Sequence, residues 1–247
     1  CLVGSEMCIR DRAAAALARA REQGAVDRVL ATELEGRVQV MQGLGDEAMR
    51  TLRRPALRSR DASLIAAFGW ALAQAEADRD AIRQFERAVA LDPGQVEAWL
   101  GLALSRTRRG DLGGASQAIG EAEGIIQRRT LGPRYEARLL AARGRLLYEN
   151  GSFDDARTKA QEALAKDASC AAAHYVLGLV ADARGSSPVE HLRAALAARS
   201  PSPEVLGQLL IFDDRAADRC DLARRYLRAA PRGLDARDAR SAMRGCR

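Results

Sequence analysis

Residues 62–95 read ASLIAAFGWALAQAEADRDAIRQFERAVALDPGQ, and this stretch decides the fold. Ile65, Phe68, Gly69 and Leu72 follow the i, i+3, i+4, i+7 spacing of one helix face. Ala81, Ile82, Phe85, Ala88, Val89 and Leu91 carry the same period in a second helix. Between them, Ala77-Asp78-Arg79-Asp80 reads as a tight turn in which Asp is suited to cap the second helix. Asp92-Pro93-Gly94 ends the unit, because proline lacks the N–H a helix needs and pushes the preceding residue into an extended conformation. Small residues at Gly69 and Ala81 let two antiparallel helices approach closely.

The unit returns along the chain. Upstream, Gly36, Gly43, Ala48 and Leu52 stand at the corresponding spacings, with Pro55 expected to end that copy's second helix early. Downstream, Trp99, Leu102 and Ala103 continue a first helix, Gly110 marks its turn, and Ala115, Ile119 and Ala122 form the second. Thr130-Leu131-Gly132-Pro133 then breaks the chain after an insertion. Gly144, Gly151, Ala156 and Ala163 mark the next copy; Leu177, Gly178 and Gly185 mark the one after it. Ser200-Pro201-Ser202-Pro203 punctuates the chain, and three short helices are expected beyond it, over residues 204–212, 215–229 and 234–244. No stretch shows sustained apolar–polar alternation with β-branched residues.

A 34-residue period with Gly69, Ala81, Phe85, Ala88 and Pro93 in these places resembles the tetratricopeptide repeat, with Phe68 and Leu72 as tolerable variants. The resemblance implies an all-α fold in which antiparallel helix-turn-helix repeats stack into a right-handed α-solenoid. Residues 13–201 then form about five repeats, the first truncated, and residues 202–247 form degenerate capping helices. Residues 2–12, LVGSEMCIRDR, look like the translation of a sequencing-library adapter, so 1–12 are set aside as a non-native scar. The expectation is that Cys1 and Cys8 are foreign to the protein and that its own N-terminus lies upstream.

Composition narrows the function. The net charge is +6, but basic residues are nearly all Arg, and most charges alternate in sign along helices as on a solvated face. The excess sits in 215–247, with ten Arg against four Asp and no interleaved aromatic stripe, which argues against nucleic acid as partner. No run of about 20 apolar residues offers a membrane span. Gly110-Asp111-Leu112-Gly113-Gly114 lacks the Lys-Ser/Thr and the preceding strand of a phosphate loop. Cys170 and His174 are spaced i, i+4 but no second pair completes a metal site, and His174 stands where Trp99 stands in its own repeat, a packing position. The pairs Asp154-Asp155 and Asp213-Asp214 precede expected helices and read as caps. No catalytic constellation, metal site or cofactor site emerges.

Cys220 and Cys246 bracket two expected antiparallel helices and would meet at one end of the pair. A disulfide there would staple the C-terminal cap and place the protein in an oxidising compartment, with a bacterial envelope favoured. The alternative is two unrelated cysteines in a reducing cytosol, with Cys170 free in either case.

In the family, first helices line a concave surface that contacts ligands. The resemblance therefore implies a partner-binding groove at Trp70, Leu104, Arg108, Arg145, Tyr148 and Tyr175. Arg beside aromatic rings is the composition of binding hot spots. Repeats that clamp the C-terminal carboxylate of chaperones use Lys and Asn at such positions, and here no first helix carries Lys and the single Asn is Asn150. The reading is a non-catalytic scaffold for a protein or an extended acidic or mixed peptide. The alternative is the C-terminal regulatory or sensor region of a larger signalling or transcription-regulating protein.

Overall fold

The structure is a computed structural model and describes residues 15–16, 18–19, 28–198, 202–213 and 216–246. The expected adapter scar lies outside the described residues. From Arg28 onward there are thirteen helices and no strand among the described residues. They run α1 (Arg28–Met41), α2 (Gly45–Arg58), α3 (Ala62–Gln74), α4 (Asp78–Leu91), α5 (Val96–Arg108), α6 (Leu112–Arg129), α7 (Pro133–Glu149) and α8 (Phe153–Lys166). Then follow α9 (Ala171–Ala183), α10 (Val189–Ala197), α11 (Pro203–Phe212), α12 (Ala216–Ala229) and α13 (Ala236–Arg244). Consecutive helices pair as antiparallel hairpins, and the hairpins stack into an α-solenoid with α1, α3, α5, α7, α9 and α11 as its inner layer.

The two helices read from residues 62–95 are α3 and α4. Their contact is built on Phe85, which is fully buried. A β-carbon at Gly69 would stand 2.6 Å from the Phe85 ring, and one at Gly101 of the next hairpin would stand 2.3 Å from it. Phe85 is thus a wedge received by glycines on two different inner helices. The loop Asp92–Gln95 is tightened by the Asp92 carboxylate, which accepts from the Gly94 N–H at 2.8 Å.

Several local expectations are corrected. Pro55 does not end its helix: α2 continues to Arg58. Leu52 and Ala56 are fully buried and hold the last turn in place, while Arg87 of α4 donates to the carbonyls of Ala56 and Ser59 at that helix end. Asp78 is not a cap: Ala77 stands at the N-cap, and the Asp78 carboxylate turns to Arg108 instead. Asp154, in the first turn of α8, bonds Arg184 just past the end of α9 rather than an end N–H. Asp213 is buried at the C-terminal end of α11 and accepts from Arg193 of α10 at 2.6 Å.

The core divides into three apolar clusters. One runs from α2 to α7 around Phe85, one through α7, α8 and α9 around Ala156 and Val176, and one from α9 to α13 around Tyr226. Alanine at the helix crossings lets the axes come close, so few large rings are needed to exclude water. Cys220 of α12 and Cys246 after α13 are bonded, their Cα atoms 5.8 Å apart.

The two ends of the described solenoid meet. Arg228 of α12 pairs with Glu47 of α2 at 3.3 Å, and the Tyr226 hydroxyl donates to the Glu76 carboxylate at 3.2 Å. The backbone N–H of Leu234 reaches the same carboxylate at 2.6 Å. Hence the inner layer curls around a concave chamber that stays partly open to solvent.

Candidate functional site: the concave chamber

The chamber has a volume of about 410 Å³. Its walls are the inward faces of α1, α3, α5, α7 and α9, with Ser202, Glu204 and Val205 at the start of α11 closing one side. Trp70, Leu104, Arg108, Arg145 and Tyr175 all line it, so five of the six groove residues chosen from repeat position converge. Tyr148 does not line it. Its ring lies 5.4 Å from that of Phe153, in the contact between α7 and its own outer helix.

Several polar wall residues are held by other elements. The Trp70 indole N–H donates to the Glu97 carbonyl at 3.2 Å, its ring meets Phe85 edge-on at 5.6 Å, and the Arg138 guanidinium lies 5.5 Å above it. Arg138 also forks onto the Glu97 carboxylate at 2.5 and 2.7 Å. Burial pushes the Glu97 carboxyl up, yet the Arg138 charge and its hydrogen bonds outweigh burial and hold it below the ordinary glutamate range.

Arg108 is the most fully engaged. Its side chain is only 7% exposed. The Nη1 donates to the Ala73 carbonyl at 2.9 Å and faces Asp78 at 3.4 Å, while Nε and Nη2 grip Glu204 at 3.0 and 2.8 Å. Burial disfavours the Arg108 charge, but Glu204 and Asp78 overcome this and raise its basicity. Glu204 responds in kind: burial raises its carboxyl, and Arg108 with Arg145 pull it below the ordinary value. Arg145 lies 5.2 Å over the Tyr175 ring and donates its Nε to Glu149 at 2.8 Å; its Nη1 is buried with no partner. Burial, followed by the Glu204 charge, keeps the Tyr175 phenol protonated well above its usual range.

Glu204, Glu97 and Arg138 were missed in the sequence. Glu204 pairs across 96 residues, and its only local signal is a start-of-helix Ser-Pro-Glu. His174 takes the packing place of its counterpart: its Nε2 donates to the Ala168 carbonyl at 3.1 Å, as the Trp99 indole N–H donates to Pro93 at 2.9 Å. Cys170 is free and buried, and no group of three or more His, Cys, Asp or Glu able to hold a metal occurs among the described residues. No described helix is long and apolar enough to cross a membrane.

Helix hairpins stacked around a chamber lined by their first helices define a helical-repeat protein of the solenoid class. Residues 66–125 and 141–203 match the tetratricopeptide-repeat family model, and the chain belongs to the tetratricopeptide-repeat proteins. Among solved structures it is similar to MamA (residues 41 to the end) from Desulfovibrio magneticus RS-1, at 17% identity and a TM-score of 0.46, over 69% of this chain and 94% of that one. It is also similar to the MamA RS-1 ArsTM double mutant, at 17% identity, a TM-score of 0.44 and the same coverage. No curated protein matches the chain.

Proposed function

We propose that the chain is a non-catalytic protein–protein interaction scaffold that takes a peptide, or a short segment of a partner protein, into the concave chamber. The observation that carries this is the convergence of Trp70, Arg108, Arg145 and Tyr175, from four successive inner helices, on one space of about 410 Å³. Trp70, Arg108 and Arg145 are each held by a backbone or carboxylate partner and Tyr175 lies under the Arg145 guanidinium, so little ordering remains to be done on binding. The apolar faces of Leu100, Leu104 and Val176 suit aliphatic side chains, and the guanidinium groups suit an acidic one. A chamber of this size holds a few residues, not a long extended peptide.

The test is capture of a partner from extract of the native cell by the full chain and by two variants. Trp70→Ala and Arg145→Glu should each weaken capture of the same partner at least tenfold with helicity by circular dichroism retained; unchanged capture by both overturns the reading. The bonded Cys220 and Cys246 support an oxidising compartment such as a bacterial envelope. Thiol labelling of denatured protein from its native source should modify Cys220 and Cys246 only after reduction, and labelling of both without reductant overturns that placement.

A further inference from the structure

The turn between α3 and α4 differs from those of the other hairpins. The corresponding turns before α2, α6, α8 and α10 hold Gly43, Gly110, Gly151 and Gly185 at φ 74, 78, 80 and 72°. In the hairpin that otherwise fits the repeat best, the position is Glu76, at φ 57°. Glycine takes this left-handed conformation freely, whereas a side chain there is strained. The strained side chain has a task outside its own hairpin. Its carboxylate accepts from the Tyr226 hydroxyl and from the Leu234 N–H, both in the C-terminal unit.

That contact belongs to a seam. On one side lie α2 to α7, on the other α11 to α13, whose apolar cluster also takes in Tyr175 of α9 and Leu192 and Ala195 of α10 but shares no residue with the cluster of α2 to α7. The bonds that cross the seam are polar: Glu76 with Tyr226 and Leu234, Glu47 with Arg228, and Arg108 with Glu204. The receptor half of the last pair also has partners of its own. Arg108 is held by the Ala73 carbonyl and Asp78, both on its own side of the seam, and turns its Nε–Nη2 edge to Glu204.

We propose that the C-terminal unit is an internal ligand of the chamber: Glu204 fills a carboxylate-binding fork made by Arg108 and Arg145, Glu76 latches the unit from outside, and an acidic partner enters by substituting its own carboxylate for that of Glu204. Exchange of one carboxylate for another keeps the Nε–Nη2 edge of the buried Arg108 paired, whereas a neutral ligand entering by the same route would leave that edge without a carboxylate. The site therefore selects an acidic side chain flanked by apolar ones, the chemistry Glu204 shares with Val205 and Leu206. The proposal rests on the chamber being a binding site, but its test contains no partner and stands or falls apart from capture.

Two full-chain variants test it. Glu204→Ala empties the fork. Its melting temperature should fall by at least about 6 °C. Propionate should restore most of that fall, while chloride at equal ionic strength should not. Glu76→Gly gives the α3–α4 turn the residue the other hairpins carry, so the repeats stay folded while the latch is lost. Amide hydrogen exchange in α11, α12 and α13 should then speed up at least tenfold, with α5 to α8 unchanged. Equal effects of propionate and chloride, or unchanged exchange in α11 to α13 of Glu76→Gly, overturn the proposal. Should Glu204→Ala fail to fold, the exchange measurement on Glu76→Gly decides alone.

Discussion

Single residues carry the specificity of this fold more than any stripe of apolar surface does. Phe85 is fully buried and received by Gly69 and Gly101 at once. Phe85→Ala should cost roughly 3–5 kcal/mol by denaturant unfolding. The charged residues predict a two-sided pH dependence. Glu97 and Glu204 are held below 4.5, so their contribution is complete above that value and lost as pH falls through their folded pKa values. Glu76 is raised above 4.5 and Asp78 above 3.8, mainly by burial, so their contribution is complete at low pH and lost as pH rises through their folded values. Melting temperature should therefore change little, or rise, on mild acidification and drop steeply below 4.5. Glu204→Gln should flatten the steep part of that curve; an unchanged acid limb would refute the assignment. Position in the repeat sufficed to place Trp70, Leu104, Arg108, Arg145 and Tyr175 on the chamber wall. It misplaced Tyr148, because that residue stands on the side of α7 facing Phe153. Position alone does not reveal which side chain will stand opposite.

At the scale of elements, the hairpin turns are where backbone chemistry was most legible. Gly151 at φ 80° joins α7 to α8 with open space around an added β-carbon, so Gly151→Ala isolates the conformational cost. It should destabilise by about 1 kcal/mol in chemical denaturation, with no change in the chamber. Helix ends were less legible. The halt expected at Pro55 did not occur, because Leu52 and Ala56 pack the last turn and Arg87, from the next hairpin, supplies donors to its carbonyls. A proline penalty is a local quantity, and here tertiary contacts outweigh it. The same applies to Asp78 and Asp213, which read as caps in isolation and are drawn to Arg108 and Arg193 once neighbours are present. Arg87→Ala should loosen the end of α2, seen as faster amide exchange in its last turn than elsewhere in the helix.

For the molecule as a whole, the repeat period made the solenoid readable, since each hairpin contacts its neighbours by the same rule. Closure was not readable. It depends on bonds across 96, 150 and 158 residues that leave no periodic trace in the chain. Three apolar clusters in series imply that unfolding is not a single event. Reduction of Cys220–Cys246, which are 26 residues apart, should cost the α12–α13 pair about 3.5 kcal/mol. Calorimetry with and without reductant should show the loss in a C-terminal transition, with the transition of the cluster around Phe85 staying in place. A uniform shift of the whole profile would mean that the clusters unfold as one.

The position of Phe85 has an evolutionary consequence. Repeat proteins are commonly pictured as gaining and losing whole modules, cut at the repeat boundary. Here the boundary at residues 92–95 passes between the ring and half of its socket, since Gly69 lies before it and Gly101 after it. Excision of the following hairpin would strand a phenyl ring, and insertion of a foreign one would have to offer a glycine at the same depth. The second and third hairpins are thus heritable only together, and a recombination library should recover the α3–α6 block intact far more often than either hairpin alone.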